Sequence, residues 1–175
     1  KSDCPFKQHA VDFWKLSYYW MGINLRDVIK LQWSNVNDDK IYYYRSKTFK
    51  RSKVKRKNTV FLDDRTTAII EKYKGTGIYI FNVLDESASE EQKYRAGKNF
   101  IRKINQHLKK VAVELDISKD ISSIWSRHSF ATEMKKKKVS PYIIQEAFGH
   151  KDIKTTENYM SSLVEDDLRN IQSIL

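Results

Sequence analysis

The strongest constraint on the fold of this chain is one long segment whose pattern predicts a single amphipathic helix. Ser89 and Gln92 have the spacing of a capping box, in which each side chain accepts a hydrogen bond from the other residue's backbone amide. Apolar residues then recur at intervals of three and four, the spacing of one helix face: Phe100, Ile101, Ile104, Leu108, Val111 and Leu115. A chain that has to bury such a helix is expected to be mainly helical.

Shorter helices are predicted on both sides of this segment. Aromatic and apolar residues from Phe6 to Met21 recur at helical spacing, and Gly22 is expected to end that helix. A second helix is predicted from Leu25, with Asn24 as its N-cap. The other predicted helices are one capped by Asp63 or Asp64 and closed by Gly75 and Gly77, one beginning near Ser123, one running from Ser140-Pro141 to Gly149, and a short one capped by Thr155 or Thr156.

Strand signals are few. Two runs rich in β-branched and aromatic residues, 41–45 and 59–62, predict strands, with 53–55 as a candidate third piece, and 78–81 fits a strand or a buried turn. With 175 residues, of which 40% are hydrophobic, the chain has the size and core of one domain. We therefore expect a mainly α fold with a small antiparallel β-sheet, of the α+β class.

The charge of the chain favours a polyanionic partner. Lys and Arg number 33 against 22 Asp and Glu, a formal net charge of +11, which attracts nucleic acid. The sequence has no long apolar run and no basic helix rich in exposed large hydrophobic residues, so we expect no membrane binding. The single Cys4 cannot form an intramolecular disulfide, and a reducing cytoplasm is the expected compartment.

Three short motifs near the C-terminus place an arginine, a histidine and a tyrosine in an order that suits attack on a phosphodiester. They are Arg127-His128-Ser129-Phe130-Ala131-Thr132, Phe148-Gly149-His150 and Thr155-Thr156-Glu157-Asn158-Tyr159. A tyrosine supplies a nucleophilic oxygen, and the other two side chains supply charge and protons. No glycine-rich phosphate loop and no paired metal-binding carboxylates stand nearby in the sequence, so we expect neither a cofactor nor a metal.

These motifs resemble the second signature box of the tyrosine recombinases, or phage-type integrases, in which Arg-His-Thr-Phe-Ala-Thr is followed by Leu-Gly-His and by Thr-Thr and a tyrosine. The first signature box has a counterpart from Gly22 to Val36, which is similar to the family's Gly-Leu-Arg-x-x-Glu-Leu-x-x-Leu-x-Trp-x-Asp-Ile. Between the boxes, Ser46-Lys47-Thr48 occupies the basic hairpin where the family keeps a catalytic lysine. The resemblance covers nearly the whole chain and favours integrases of conjugative transposons and related mobile elements.

The resemblance implies a site-specific DNA recombinase that integrates or excises a mobile element. Tyr159 would form a 3′-phosphotyrosyl link and release a 5′-hydroxyl, without cofactor or nucleotide hydrolysis. Arg127 would bind two phosphate oxygens, because a guanidinium is bidentate and stays protonated. His150 would donate a hydrogen bond to a non-bridging oxygen or help deprotonate Tyr159. Lys47 would protonate the leaving hydroxyl, with Lys50 as the alternative.

The chain departs from the family's pattern at two positions. Asn24 stands where the first box has an arginine, and Arg26, two residues on, points to another face of a regular helix. Ile124 stands where a histidine usually precedes the second-box arginine by three residues, and isoleucine cannot form a hydrogen bond. Asp27 matches the acidic residue that braces the family's active site or is an ordinary helix-face charge, and His128 is a supporting position in the second box.

The basic hairpin is the expected DNA-backbone contact surface, because lysine and arginine bind phosphates regardless of base sequence. The expected contacts are Lys50, Arg51, Lys53, Lys55, Arg56 and Lys57, together with Arg102 on the long helix. The resemblance implies double-stranded DNA as the substrate, a homotetramer on that DNA, and a location in the bacterial cytoplasm at the nucleoid. A host DNA-bending factor is a further candidate partner.

Because the chain begins with Lys1, we expect it to be the C-terminal catalytic domain, residues 1–175, of a longer integrase whose N-terminal DNA-binding region is absent. An apolar stripe in residues 163–175 predicts a tail helix that docks on its own protomer or in trans on a neighbour. Two alternatives to an active recombinase stay open. Asn24 and Ile124 suit a catalytically impaired recombinase-like protein that only binds DNA, and the basic helical pattern alone suits a helix-turn-helix regulator.

Overall fold

The computed structural model describes residues 5–49, 56–117 and 120–161. In chain order the elements are α1 (Pro5–Tyr19), α2 (Leu25–Val28), a 3-10 helix (Trp33–Asn35), β1 (Val36–Asn37), β2 (Lys40–Tyr44), α3 (Ser46–Phe49), β3 (Lys57–Phe61), α4 (Asp64–Tyr73), α5 (Glu90–Glu114), α6 (Trp125–Lys136) and α7 (Pro141–Phe148). Residues 153–161 are also helical. The predicted mainly α fold with a small antiparallel sheet is confirmed.

The main core forms where α5 packs along α1. Phe13 of α1 lies against Phe100 of α5, with 5.1 Å between the ring centroids. Ile104 and Leu108, on the same face of α5, are buried. The apolar stripe predicted for the long helix is therefore its packing face, except that Leu115 is the C-cap of α5 and lies exposed.

The sheet has three antiparallel strands in the order β1-β2-β3. Ile41 pairs with Val60 and Tyr43 with Asn58, and all four side chains are buried. Period-2 alternation thus turns one face of the sheet towards the protein interior. β2 and β3 match the two predicted strands to within two residues, whereas β1 was not predicted because two residues carry no periodic signal.

A smaller apolar cluster joins α6, α7 and the 153–161 helix. Its buried members are Ala131, Ile144 and Phe148, and Tyr159 packs against them. The buried hydroxyls of Ser17 and Ser126 lie 2.7 Å apart and connect α1 to α6. The second signature box is thereby held against the first helix of the chain.

Four predicted N-caps are present. Asn24, Asp63, Ser89 and Ser140 each accept a hydrogen bond from a backbone amide in the following turn. Such caps satisfy amides that have no partner inside the helix. At the other end of α7, Gly149 ends the helix as predicted, and it does so in the left-handed conformation, with φ of 61°.

Two predicted helix boundaries are wrong. α4 ends at Tyr73 with Lys74 as its C-cap, so neither Gly75 nor Gly77 closes it. The last helix begins at residue 153, one turn earlier than a Thr155 or Thr156 cap would require. Asp152 accepts a hydrogen bond from the Lys154 amide at 3.0 Å, which supplies the cap.

Two predicted segments cannot be compared with the structure. The strand piece at 53–55 and the tail at 163–175 lie outside the described residues. Residues 78–81 are not a full strand but an irregular segment with isolated bridges to Gln32 and Lys74, in which Ile80 and Phe81 are buried and Ile78 is exposed. Within the described ranges, every helix is too short or too polar to cross a membrane.

Candidate active site

Arg127 lies at the centre of the site, in the first turn of α6, with 6% of its surface exposed. Its Nη1 donates to the carbonyl of Gly22 at 2.8 Å, and its Nη2 donates to the carbonyl of Phe148 at 3.1 Å. The guanidinium carbon lies 3.6 Å from the centroid of the Phe148 ring. Burial lowers the pKa of Arg127 to about 10, with a smaller contribution from the charge of Arg45, so the side chain stays cationic at neutral pH.

Gly22 lets the first signature box approach this arginine. Its φ is +72°, and a Cβ at this position would lie 3.0 Å from the Cα and Cγ atoms of Arg127. Only glycine adopts this conformation without strain and leaves this space open. The glycine of the first box is therefore explained by contact with the arginine of the second.

His150 follows the left-handed Gly149 and lies against Arg127. Its Nε2 is 3.2 Å from Arg127 Nη2, and its Nδ1 is 2.9 Å from the hydroxyl of Thr156. A guanidinium only donates, so Nε2 accepts and the ring proton resides on Nδ1, which donates to Thr156. Burial, followed by the charge of Arg127, lowers the pKa of His150 to about 4. His150 is thus neutral at physiological pH.

The turn that carries His150 is held by neighbouring polar side chains. Arg56 Nη1 and Gln145 Nε2 both donate to the His150 carbonyl, each at 3.1 Å. Arg56 also forms a salt bridge with Glu146. Arg56 was predicted as a DNA-backbone contact, and its guanidinium here supports the turn that carries His150.

Tyr159 projects from the 153–161 helix into the same region. Its hydroxyl is 2.7 Å from Nδ1 of His128, and the two rings are stacked with centroids 5.3 Å apart. Burial raises the pKa of Tyr159 to about 12, although the charge of Arg127 acts in the opposite direction. The phenol is therefore protonated at neutral pH and needs a proton acceptor before it can attack.

Phe148 is the common contact of these side chains. Besides lying under Arg127, its ring centroid is 5.4 Å from that of His150 and 5.5 Å from that of Tyr159. The predicted arginine, histidine and tyrosine thus converge in one place. Phe148 was predicted only as part of a motif, because an apolar side chain gives no chemical signal of its own.

Asp27 and Lys47 lie on the sheet side of the site. Asp27 is buried, and its Oδ1 accepts a hydrogen bond from the Ser46 amide at 2.9 Å. This bond ties α2 to the start of α3, one residue before Lys47. Lys47 is exposed, and its charge makes the smallest of the contributions that lower the pKa of His150.

The two departures from the family's pattern meet at one small cavity. Asn24 and Ile124 line a space of about 80 Å³ together with Gly22 and Arg127. Asn24 Oδ1 accepts a hydrogen bond from the Arg26 amide at 3.2 Å, so this oxygen serves as a helix cap. The guanidinium of Arg26 lies 5.9 Å from the Tyr94 ring centroid on α5, and it does not take the place of the absent first-box arginine.

The remaining predicted contacts are dispersed. The ammonium of Lys57 lies 4.0 Å from the ring centroid of Tyr42, and Arg102 is exposed on α5. The other basic residues named for the hairpin lie outside the described residues: Lys50, Arg51, Lys53 and Lys55.

Comparison with known proteins supplies the family. A model described as the phage integrase family matches residues 16–165. This chain belongs to that family. The predicted membership is thereby confirmed, and the two signature boxes both fall within the matched range.

Individual relatives agree with this assignment. Over 111 residues the chain is 35% identical to the tyrosine recombinase XerA of Saccharolobus solfataricus, covering 63% of this chain and 33% of that protein. The chain thus spans about a third of the length of this curated relative.

Solved structures share the fold. A crystal structure of XerA recombinase has a TM-score of 0.58 at 15% identity, covering 93% of this chain and 61% of that one. The XerH site-specific recombinase bound to its palindromic difH substrate has a TM-score of 0.61 at 15% identity, covering 98% of this chain and 48% of that one. The Tn1549 transposon integrase with circular intermediate DNA has a TM-score of 0.51 at 14% identity, covering 90% of this chain and 56% of that one.

Gly149→Ala tests whether the turn that presents His150 needs glycine. An added Cβ would overlap the Asn58 side chain, and the left-handed φ adds strain. We expect a loss of about 2 kcal/mol in the free energy of unfolding, measured by denaturant titration.

The matched control for this measurement is Gly77→Ala, because a Cβ there would meet nothing within 4 Å and the φ of Gly77 is not positive. We expect this variant to unfold like the unmodified protein. Equal stability of the two alanine variants would contradict the described packing of the turn.

Proposed function

We propose that this chain carries the catalytic centre of a site-specific DNA recombinase of the tyrosine type, which integrates or excises a mobile element. The observation that carries the proposal is the convergence of Arg127, His150 and Tyr159 around Phe148. Double-stranded DNA is the proposed substrate, in line with the net charge of +11. The DNA-bound XerH and Tn1549 integrase structures share this fold.

In the proposed reaction, the Tyr159 oxygen bonds to the scissile phosphorus as the bond to the 5′-oxygen breaks. The products are a 3′-phosphotyrosine and a 5′-hydroxyl, and the 5′-hydroxyl of a second strand reverses the step. One phosphoester replaces another, so no nucleotide has to be hydrolysed. Catalysis then requires positioning, proton transfer and stabilisation of the pentavalent transition state.

Arg127 binds the phosphate in this proposal. A guanidinium has five N–H groups, and the described bonds to Gly22, Phe148 and His150 use three of them. Two remain for phosphate oxygens. Since the bonds to protein groups are already formed, the cation requires little rearrangement when charge develops on the phosphorane.

His128 accepts the proton of Tyr159. The 2.7 Å contact between the hydroxyl and Nδ1 supports this role, because a candidate base has to lie within hydrogen-bond reach of the proton it removes. His150 is less suited to it, since both of its ring nitrogens are engaged, by Arg127 and by Thr156. His150 instead aligns the guanidinium.

Covalent trapping tests the proposed nucleophile. The full-length recombinase is incubated with a nicked duplex that carries its recombination site, so that the released strand diffuses away and the adduct accumulates. We expect a DNA-linked band for the unmodified protein and none for Tyr159→Phe, which keeps the ring and removes only the attacking oxygen.

Tyr142→Phe is the control for this experiment, because Tyr142 is exposed on α7. This variant should form the adduct normally. An undiminished adduct with Tyr159→Phe would refute the assignment. Salt-sensitive DNA binding with no adduct from the unmodified protein would favour the second candidate function, a recombinase-like DNA-binding protein, for which Asn24 and Ile124 argue.

A substrate with sulfur in place of the bridging 5′-oxygen separates the two proton-transfer roles. A thiol has a pKa near 8.5 and leaves without protonation, whereas an alkoxide does not. We expect Lys47→Ala to lose about 100-fold or more in cleavage rate on the ordinary substrate and to recover on the sulfur substrate. His128→Gln should be slow on both, because activation of Tyr159 is still impaired.

The same measurement on Lys50→Ala decides between the two lysine candidates. Proton donation would be assigned to Lys50 if Lys50→Ala cleaved the ordinary substrate slowly and the sulfur substrate at the normal rate. Lys47→Ala would then cleave both substrates normally. Recovery of His128→Gln on the sulfur substrate would contradict the proposed action of His128 on the nucleophile.

A further inference from the structure

The described site holds one buried guanidinium where the family's boxes supply two. Asn24, at the first-box position, is neutral and uses its side-chain oxygen to cap α2. Arg26 contacts Tyr94 on α5. A phosphorane carries more negative charge than the ground-state phosphodiester, so loss of one cationic donor should be costly unless another residue replaces it.

Arg45 is placed to replace it. It follows β2 directly and precedes Ser46, whose amide donates to the buried Asp27 carboxylate at 2.9 Å. Asp27 lies three residues after Asn24, within the same short helix that Asn24 caps. Residue 45 is therefore fixed close to the first signature box, although it is distant from that box in the sequence.

Burial of Arg45 fits a position beside the core. Ile41 and Tyr43 of β2 are buried, whereas Tyr44 is exposed. Residue 45 directly follows the strand, where continued alternation would put it on the side of Ile41 and Tyr43, and it is half-buried.

Electrostatic effects on three different elements support this position. The charge of Arg45 contributes, after burial, to the lowered pKa values of Arg127 on α6 and His150 beyond α7. It also acts to lower the pKa of Tyr43 on β2, against the larger effect of burial. Because such effects weaken with distance, Arg45 lies within electrostatic range of all three groups.

We propose that Arg45 supplies the second phosphate-binding guanidinium of this site, in place of the side chain that Asn24 lacks. The inference rests on the proposed recombinase function. Arg45 suits the role because a guanidinium presents two parallel donors to phosphate oxygens and remains charged. Its contribution is made to the transition state, with Arg127 holding the same phosphate from α6.

The test is a double substitution read out by covalent trapping. Arg45→Gln removes the charge, and Asn24→Arg places a guanidinium at the first-box position. We expect Arg45→Gln alone to slow adduct formation by about 100-fold or more. The double variant should form the adduct about tenfold or more faster than Arg45→Gln alone. Arg95→Ala, an exposed arginine paired with Glu91 on α5, should behave like the unmodified protein.

A neutral methylphosphonate at the scissile position separates phosphate binding from a structural role. Without the negative oxygen, the second cation has less charge to offset, so Arg45→Gln should be impaired much less on methylphosphonate than on phosphate. The ratio of the two rates within one variant does not depend on how much of that variant is folded. A purely structural Arg45 would give the same defect on both substrates.

Three results would overturn the inference: cleavage by Arg45→Gln within threefold of the unmodified rate, no recovery in the double variant, or equal defects on both substrates. Failure of the inference is distinct from failure of the proposed function. In the first case the unmodified protein still forms an adduct that Tyr159→Phe abolishes, whereas in the second no adduct forms at all.

Discussion

Burial of the Arg127 guanidinium is the interaction on which the rest of the site depends. A buried cation is costly unless its donors are paired, and here two backbone carbonyls and an imidazole nitrogen pair with it. Those partners come from Gly22 in the first signature box and from Phe148 and His150 in the second. The guanidinium therefore connects, by hydrogen bonds, segments that are more than a hundred residues apart in the sequence.

This arrangement explains why backbone features accompany the proposed catalytic side chains. Gly22 allows the first box to approach Arg127, and Gly149 turns the chain so that His150 faces the guanidinium. Burial, followed by the charge of the same cation, lowers the pKa of His150. The neutral imidazole then accepts the hydrogen bond from Arg127 and donates to Thr156. The tautomer of His150 is thereby set by its hydrogen bond with Arg127.

Much of the fold follows from local chemistry that a sequence displays. Helix caps depend on neighbours within one turn, and Asn24 and Ser89 were predicted correctly as caps. The apolar stripe of α5 likewise depends on the spacing of residues within one helix, and it was also predicted. Thr156 was expected to cap a helix, because its pattern could not show that a histidine six residues earlier would be its partner. The support that Arg56 gives to the His150 turn and the placement of Arg45 depend likewise on tertiary contacts between strands and helices.

The hydrogen bond from Arg127 to His150 holds the site together, and the protonation state of the His150 ring tests it most directly. Nitrogen-15 NMR of the His150 imidazole reports which nitrogen carries the proton and at what pH the ring titrates. We predict a neutral ring with the proton on Nδ1 at pH 7 and a pKa of about 4. A proton on Nε2, or titration near the ordinary value of about 6.5, would mean that Arg127 does not donate to His150.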